Sequence, residues 1–133
     1  MHQNSGNEPT RKQKRIMALL EAAVKSHQNS NFAEAKVLYS QARKSDPKNV
    51  IALQLSGVLA AHMEENDLSL NFFTRAIAQN PRYSEAYFNR GNLHKKLKNF
   101  EKAASDYETA ISINPKFTES WYNYGVALCN LGN

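Results

Sequence analysis

The chain is short of almost everything that a loop-rich, cross-linked or membrane-spanning protein needs. Its one cysteine, Cys129, excludes an internal disulfide framework and fits a reducing, cytoplasmic compartment. Four prolines and five glycines in 133 residues are too few for a low-complexity chain. No run approaches eighteen apolar residues, so no helix is expected to span a membrane. The first residues have no apolar stretch after their basic ones, which excludes a secretory signal. The formal charge of +5 does not mark a basic domain either. Arg11, Lys12, Lys14 and Arg15 stand against Glu8 in the first fifteen residues. That segment carries +3, and +2 is left for the remaining 118 residues. A nucleic-acid surface would need a basic face on that larger part.

Chemistry-bearing clusters are equally scarce. His2, His27, His62 and His94 share no short metal-ligand spacing, and Cys129 has no cysteine or histidine near it in sequence. No metal or cofactor is therefore expected. Gly91-Asn92-Leu93 lies inside a helical stretch and not after a strand, so it is no dinucleotide loop. Glu64, Glu65 and Asp67 read as a solvated turn, and Lys95, Lys96 and Lys98 as a solvated face. Cys129 reads as a passive small apolar residue. The chain is expected to be no enzyme.

What the sequence does have is a period. Steps of 34 residues from Gly91 reach Gly57 and Gly125, with Ala23 one step earlier. The same step relates Ala42, Ala76 and Ala110; Pro47, Pro81 and Pro115; and Tyr39, Phe73 and Tyr107. Leu19, Leu53, Tyr87 and Trp121 form a fifth column. The units read 16–49, 50–83, 84–117 and a partial 118–133. Within the third, Tyr87, Gly91 and His94 share one helical face, and Ala103, Tyr107 and Ala110 share another. Lys98 and Asn99 turn between them. Asp46-Pro47, Asn80-Pro81 and Asn114-Pro115 mark helix ends, because proline disfavours helix in the residue before it. This spacing predicts helix over about 84–97 and 100–113, with Gly91 facing Ala103 across a close hairpin. Such helices are near the 12–15 residues at which isolated helices are marginal, so neighbouring units must bury one another.

These columns resemble the tetratricopeptide-repeat family. In the third unit Tyr87, Gly91, Leu97, Phe100, Ala103, Tyr107, Ala110 and Pro115 all sit on its signature. Departures are Ala23 and Ser26 in the first unit and Asn66 in the second, where Phe32 and Phe100 occupy the others. The resemblance implies an all-α, right-handed superhelical solenoid of helix-turn-helix hairpins, three full repeats and a partial fourth. By composition, residues 1–15 read as a disordered basic tail whose run Arg11 to Arg15 leads into the first helix, and residues 16–133 as the repeat domain. The final repeat has Trp121, Tyr124, Leu128 and Leu131 on its first helix and no second helix before Asn133. That pattern is expected of a fragment of a longer chain, or of a surface that self-associates.

The family implies a function. The first helix of each repeat lines a concave groove that takes a peptide or a helix, through repeat positions 2, 5, 6, 9, 12 and 13. These are Ile51, Gln54, Leu55, Val58, Ala61 and His62 in the second repeat. In the third they are Glu85, Phe88, Asn89, Asn92, Lys95 and Lys96. In the fourth they are Glu119, Tyr122, Asn123, Val126, Cys129 and Asn130. Asn89 and Asn123 repeat at one position, and an asparagine amide both donates and accepts, so it can read a peptide backbone of any sequence. Phe88 and Tyr122 are expected to anchor partner side chains. The candidate peptide-binding set is Phe88, Asn89, Asn92, Lys96, Tyr122 and Asn123, and the expected partner is another protein or peptide. The runs 87–92 and 122–125 also look like the N-terminal repeats of bacterial O-linked N-acetylglucosamine transferase-like proteins, whose asparagine ladder holds protein substrates. Glu21 and Leu55 interrupt that ladder in the first two repeats. The alternative role is therefore substrate recognition for a larger glycosyltransferase. The family's carboxylate clamp for chaperone tails fits less well, because Phe88 stands where its first lysine belongs. Nucleic-acid binding through Arg11–Arg15 is a more remote alternative.

Overall fold

The computed structural model describes residues 7–132 and consists of seven α-helices, with no strand among the described residues. In chain order they are α1 (Arg11–Gln28), α2 (Phe32–Ser45), α3 (Val50–His62), α4 (Asn66–Gln79), α5 (Ser84–Lys96), α6 (Phe100–Ile113) and α7 (Thr118–Asn130). They pack as antiparallel hairpins α1–α2, α3–α4 and α5–α6, with α7 against α6. Packing is most extensive inside each hairpin and lighter between hairpins, where α3 also meets α5 and α5 meets α7.

Local chemistry sets the boundaries. Each hairpin turns on one residue in the left-handed region: Ser30, Glu64 and Lys98, with φ of 62°, 61° and 62°. Gly132, the next residue on the same step, has φ of 84°. The amides of Asn31, Glu65 and Asn99 reach back to the carbonyls of Ser26, Ala60 and His94 at 2.7–2.8 Å. Those bonds satisfy helix-end carbonyls that would otherwise be orphaned. Between hairpins the Asx-Pro pairs act. The side-chain oxygens of Asp46, Asn80 and Asn114 accept from the amides of Lys48, Arg82 and Lys116, which folds the chain into a turn after each second helix.

The core is columnar. Ala35, Ser69 and Ala103 are each fully buried, as are Ala52, Ala86 and Ser120, and small residues there let helices cross closely. Tyr39, Phe73 and Tyr107 fill the space beside them, each at most 1% exposed. A buried side chain of this size contributes about 1.5–3 kcal/mol. The glycine column serves those rings. A Cβ on Gly57 would stand 2.5 Å from the Phe73 ring, and one on Gly91 would stand 2.9 Å from the Tyr107 ring. The Tyr107 ring thus fills the space that the missing Gly91 side chain leaves in the hairpin. Asn66 also shows its cost: its side-chain oxygen is buried without a partner.

The N-terminal boundary differs from the sequence reading. Residues 1–6 of the expected tail lie outside the described residues. Arg11, Lys12, Lys14 and Arg15 belong to α1 and are exposed. Thr10 starts that helix with a reciprocal cap: its hydroxyl accepts from the Gln13 amide, and the Gln13 side chain accepts from the Thr10 amide. The cap offsets basic residues in the first turn, which the helix dipole disfavours.

Candidate functional site

The first helices of the repeats, α1, α3, α5 and α7, lie side by side and form one face of the stack. Two cavities open along it. One, of about 180 Å³, is lined by Val58, Ala61, His62 and Phe73 on one side and by Asn89, Asn92, Leu93 and Lys96 on the other. The other, of about 660 Å³, is bounded by Val24, His27, Gln28, Ser30, Phe32, Tyr39, Leu55 and His62. His62 borders both.

Three of the expected site residues, Asn89, Asn92 and Lys96, therefore meet in one place. No hydrogen bond joins the Asn89 amide to another of the described residues. Asn92 is differently employed. Its side-chain oxygen accepts from the Tyr107 hydroxyl at 2.6 Å and from the Asn123 amide nitrogen at 2.9 Å. These two donors use both lone pairs of Asn92 and fix its orientation. Asn92 thus ties α5 to α6 and α7, keeping only its NH2 group for a ligand. Asn123, half-buried, spends one N–H on that link and keeps its carbonyl oxygen. Lys96 is exposed, and its ammonium donates to the carbonyl of Ala61 at 3.2 Å.

Of the two aromatic candidates, Phe88 does not behave as a groove anchor. Phe88 is buried, with its ring 4.6 Å from the Phe117 ring and 6.1 Å from that of Tyr107, centroid to centroid. It cannot reach a partner. Its counterparts at repeat position 5, Leu20 and Gln54, are also buried, so this position faces inter-repeat packing and not the groove. Tyr122, the same position in α7, is 73% exposed, and none of the described residues covers it as Phe117 covers Phe88.

Two further features were not read from the sequence. His27 Nε2 and His62 Nδ1 are 2.7 Å apart, although 35 residues separate them. A signal existed: position 12 of one first helix and position 13 of the next are neighbours in a stack of parallel helices. The second feature is a polar cluster on the opposite side of α5. Arg90 donates Nε–H and Nη2–H to the two oxygens of Asp106 at 2.9 and 2.8 Å. This fork-to-fork pair is strong and is 23% and 9% exposed at the two side chains. His94 Nε2 stands 3.9 Å from the same carboxylate. Burial lowers the His94 pKa against the opposing pull of Asp106, helped by the Arg90 and Lys102 charges. Among the described residues no group of three histidine, cysteine, aspartate or glutamate side chains is placed to hold a metal ion.

Profiles of the tetratricopeptide repeat match residues 27–84, 84–117 and 106–133. The chain belongs to the tetratricopeptide-repeat family. Its fold is shared with the first tetratricopeptide domain of Spaghetti (RPAP3) bound to the HSP90 peptide SRMEEVD. That pair has a TM-score of 0.84 and 22% identity over 90% of this chain and 95% of that one. It is shared with a Thermobaculum terrenum O-GlcNAc transferase, at a TM-score of 0.84 and 23% identity, over 91% of this chain and 23% of that one. MamA matches at a TM-score of 0.79 and 24% identity over 88% of this chain and 64% of that one. The tetratricopeptide chain therefore spans about a quarter of the transferase. No helix among the described residues is long and apolar enough to cross a membrane.

Proposed function

We propose that this tetratricopeptide chain is a protein-interaction module without catalytic activity of its own, which holds a partner segment along the face formed by α1, α3, α5 and α7. The observation that carries this reading is the asparagine set Asn89, Asn92 and Asn123. Among the described residues nothing hydrogen-bonds the Asn89 amide, the Asn92 NH2 group or the Asn123 carbonyl oxygen. The first two border a cavity whose other wall is mostly apolar, with Val58, Ala61 and Phe73 beside His62, and Asn123 is bonded to Asn92 at its edge. Such an arrangement pairs with a peptide backbone and shields it from water, with Lys96 at the edge for a carboxylate. That the RPAP3 domain of like fold is bound to a peptide supports the reading.

The test is a pull-down from lysate with the wild type and with an Asn89→Ala, Asn123→Ala double variant. The expected result is loss of the retained proteins. Asn89→Ala alone should change stability by no more than about 0.5 kcal/mol, checked by thermal melts. Retention of every protein by the double variant refutes the groove. Recovery of nucleic acid in place of protein moves the exposed basic turn of α1 to first place. A second reading, substrate recognition for a larger glycosyltransferase, is favoured by the shared fold of the transferase repeats and by the pairing of Asn92 with Asn123. Retention of glycosylated proteins by the wild type alone would support it.

A further inference from the structure

We propose that His27 and His62 form a two-imidazole site for a late first-row transition metal ion, with zinc as the probe, at the boundary between the first two repeats. The site is built by the stack. His27 lies in the last turn of α1 and His62 at the end of α3, so each helix brings one ligand to the other without a loop to order. The rings meet edge to face, at 72° and 4.9 Å between centroids, and the facing nitrogens are 2.7 Å apart. At that distance one nitrogen donates its proton and the other accepts.

A metal ion takes the place of that proton. The donor ring shifts its N–H to its other nitrogen, so both facing nitrogens present lone pairs and no net proton is lost. Two metal–nitrogen bonds of about 2.0–2.1 Å at a tetrahedral angle require the nitrogens to stand about 3.3 Å apart. The rings must open by roughly 0.6 Å, which the exposed His62 side chain can absorb by rotation.

The lining selects the ion. Val24, Gln28, Ser30, Phe32, Tyr39 and Leu55 complete the cavity without a carboxylate or a second cation. Imidazole nitrogens suit zinc, nickel and copper, whereas magnesium and calcium require oxygen ligands. Two protein ligands leave the remaining positions open to water on the groove side. Because the ligands sit on different hairpins, the ion joins the first repeat to the second and stabilises the folded state by mass action.

The experiment is a thermal melt and a calorimetric titration of the full chain with zinc chloride at pH 7.5, with magnesium chloride as the comparison. The expected result is a melting temperature that rises with zinc and not with magnesium. His27→Gln or His62→Gln should each lower zinc affinity by roughly tenfold or more, since one imidazole remains of two. His2→Gln and His94→Gln should leave it unchanged, which separates this site from the chain's other histidines. Calorimetry at 25 °C reads the affinity even if a variant melts lower. No zinc response in the wild type overturns the proposal. So does a response that His27→Gln and His62→Gln leave intact.

Discussion

The first two repeats and the last two share a backbone plan but finish it with different chemistry. Tyr39 and Tyr107 are the same residue two repeats apart, both buried. Tyr107 gives its hydroxyl proton to Asn92, whereas Tyr39 has Val24 at the corresponding position and its hydroxyl is buried with no partner among the described residues. The contrast recurs on the other side of the stack. Arg90 and Asp106 form a forked ion pair in the third repeat, where the second repeat has Ser56 and Phe72. There Arg43 reaches in from α2, donates to Ser56 at 2.7 Å and lies 4.6 Å over the Phe72 ring. The early repeats thus leave more of these positions to apolar packing, and the later ones fill them with hydrogen bonds and an ion pair. The repeat period specifies where helices cross; it leaves open which kind of contact fills the crossing.

The largest effect separating the halves should come from Arg90→Met. It leaves the buried Asp106 charge without its partner, and breaking such a pair costs about 3 kcal/mol or more. The matching change Arg43→Met strands only a hydroxyl that can still donate to the Ala52 carbonyl, and should cost about 1 kcal/mol. Urea melts of both variants check the ratio; equal losses would erase the distinction.

The glycine column gives the next effect. Gly57→Leu drives a side chain into the Phe73 ring and should cost about 3 kcal/mol, the upper end for overpacking. Gly91→Leu meets Tyr107 in the same way, from a slightly greater distance. A Cβ added at Gly125 would meet nothing within 4 Å, so Gly125→Ala should stabilise by up to about 1 kcal/mol through helix propensity. A loss at Gly125 would mean that another element covers that face in solution.

The tyrosines sharpen the comparison at smaller scale. Tyr107→Phe should cost about 1–2 kcal/mol, because a buried hydrogen bond to Asn92 is lost. Tyr39→Phe should be neutral or stabilising, because it removes an unpaired buried hydroxyl. Calorimetric melts of the pair read the difference directly. A large loss for Tyr39→Phe would show that its hydroxyl has found a partner, such as ordered water.

The smallest effect is on pH. Burial lowers the pKa of His94, and burial with His62 lowers that of His27, both from 6.5. The unfolded chain therefore takes up protons first. Stability is complete above about 6.5 and falls as pH drops through the folded values. The melting temperature should be level from pH 8 to 7 and decline below, and His94→Gln should flatten part of that decline. A melting temperature that rises on acidification would reverse the sign.

Much of this organisation was legible in the sequence because a 34-residue period is a statement about helix spacing. The α5–α6 hairpin lies within a residue of where Gly91, Tyr107 and the Asx-Pro pair put it. Asn89, Asn92 and Lys96 were expected on one face from the positions that the resemblance to the family implies, and they border one cavity. Phe88 was not, since an aromatic at position 5 looks like a groove residue until the next hairpin, with Phe117, is placed on it. The His27–His62 contact was hidden by its offset: neither residue has a partner within one helix, and their proximity depends on how adjacent repeats are staggered. The run Arg11 to Arg15 was expected to lead into the first helix; that the helix already begins at Arg11 rests on the local Thr10–Gln13 cap.

The arrangement of strong hairpins joined by lighter seams has a mechanical consequence. Tension applied between the two ends of the stack loads every seam in series, so extension is shared and the softest joint sets the yield point. The turns at 46–49, 80–83 and 114–117 lie at those joints and are the natural hinges. Gentle bending there would widen or narrow the face that carries Asn89 while each hairpin stays rigid, giving the molecule the compliance of a spring made from stiff links.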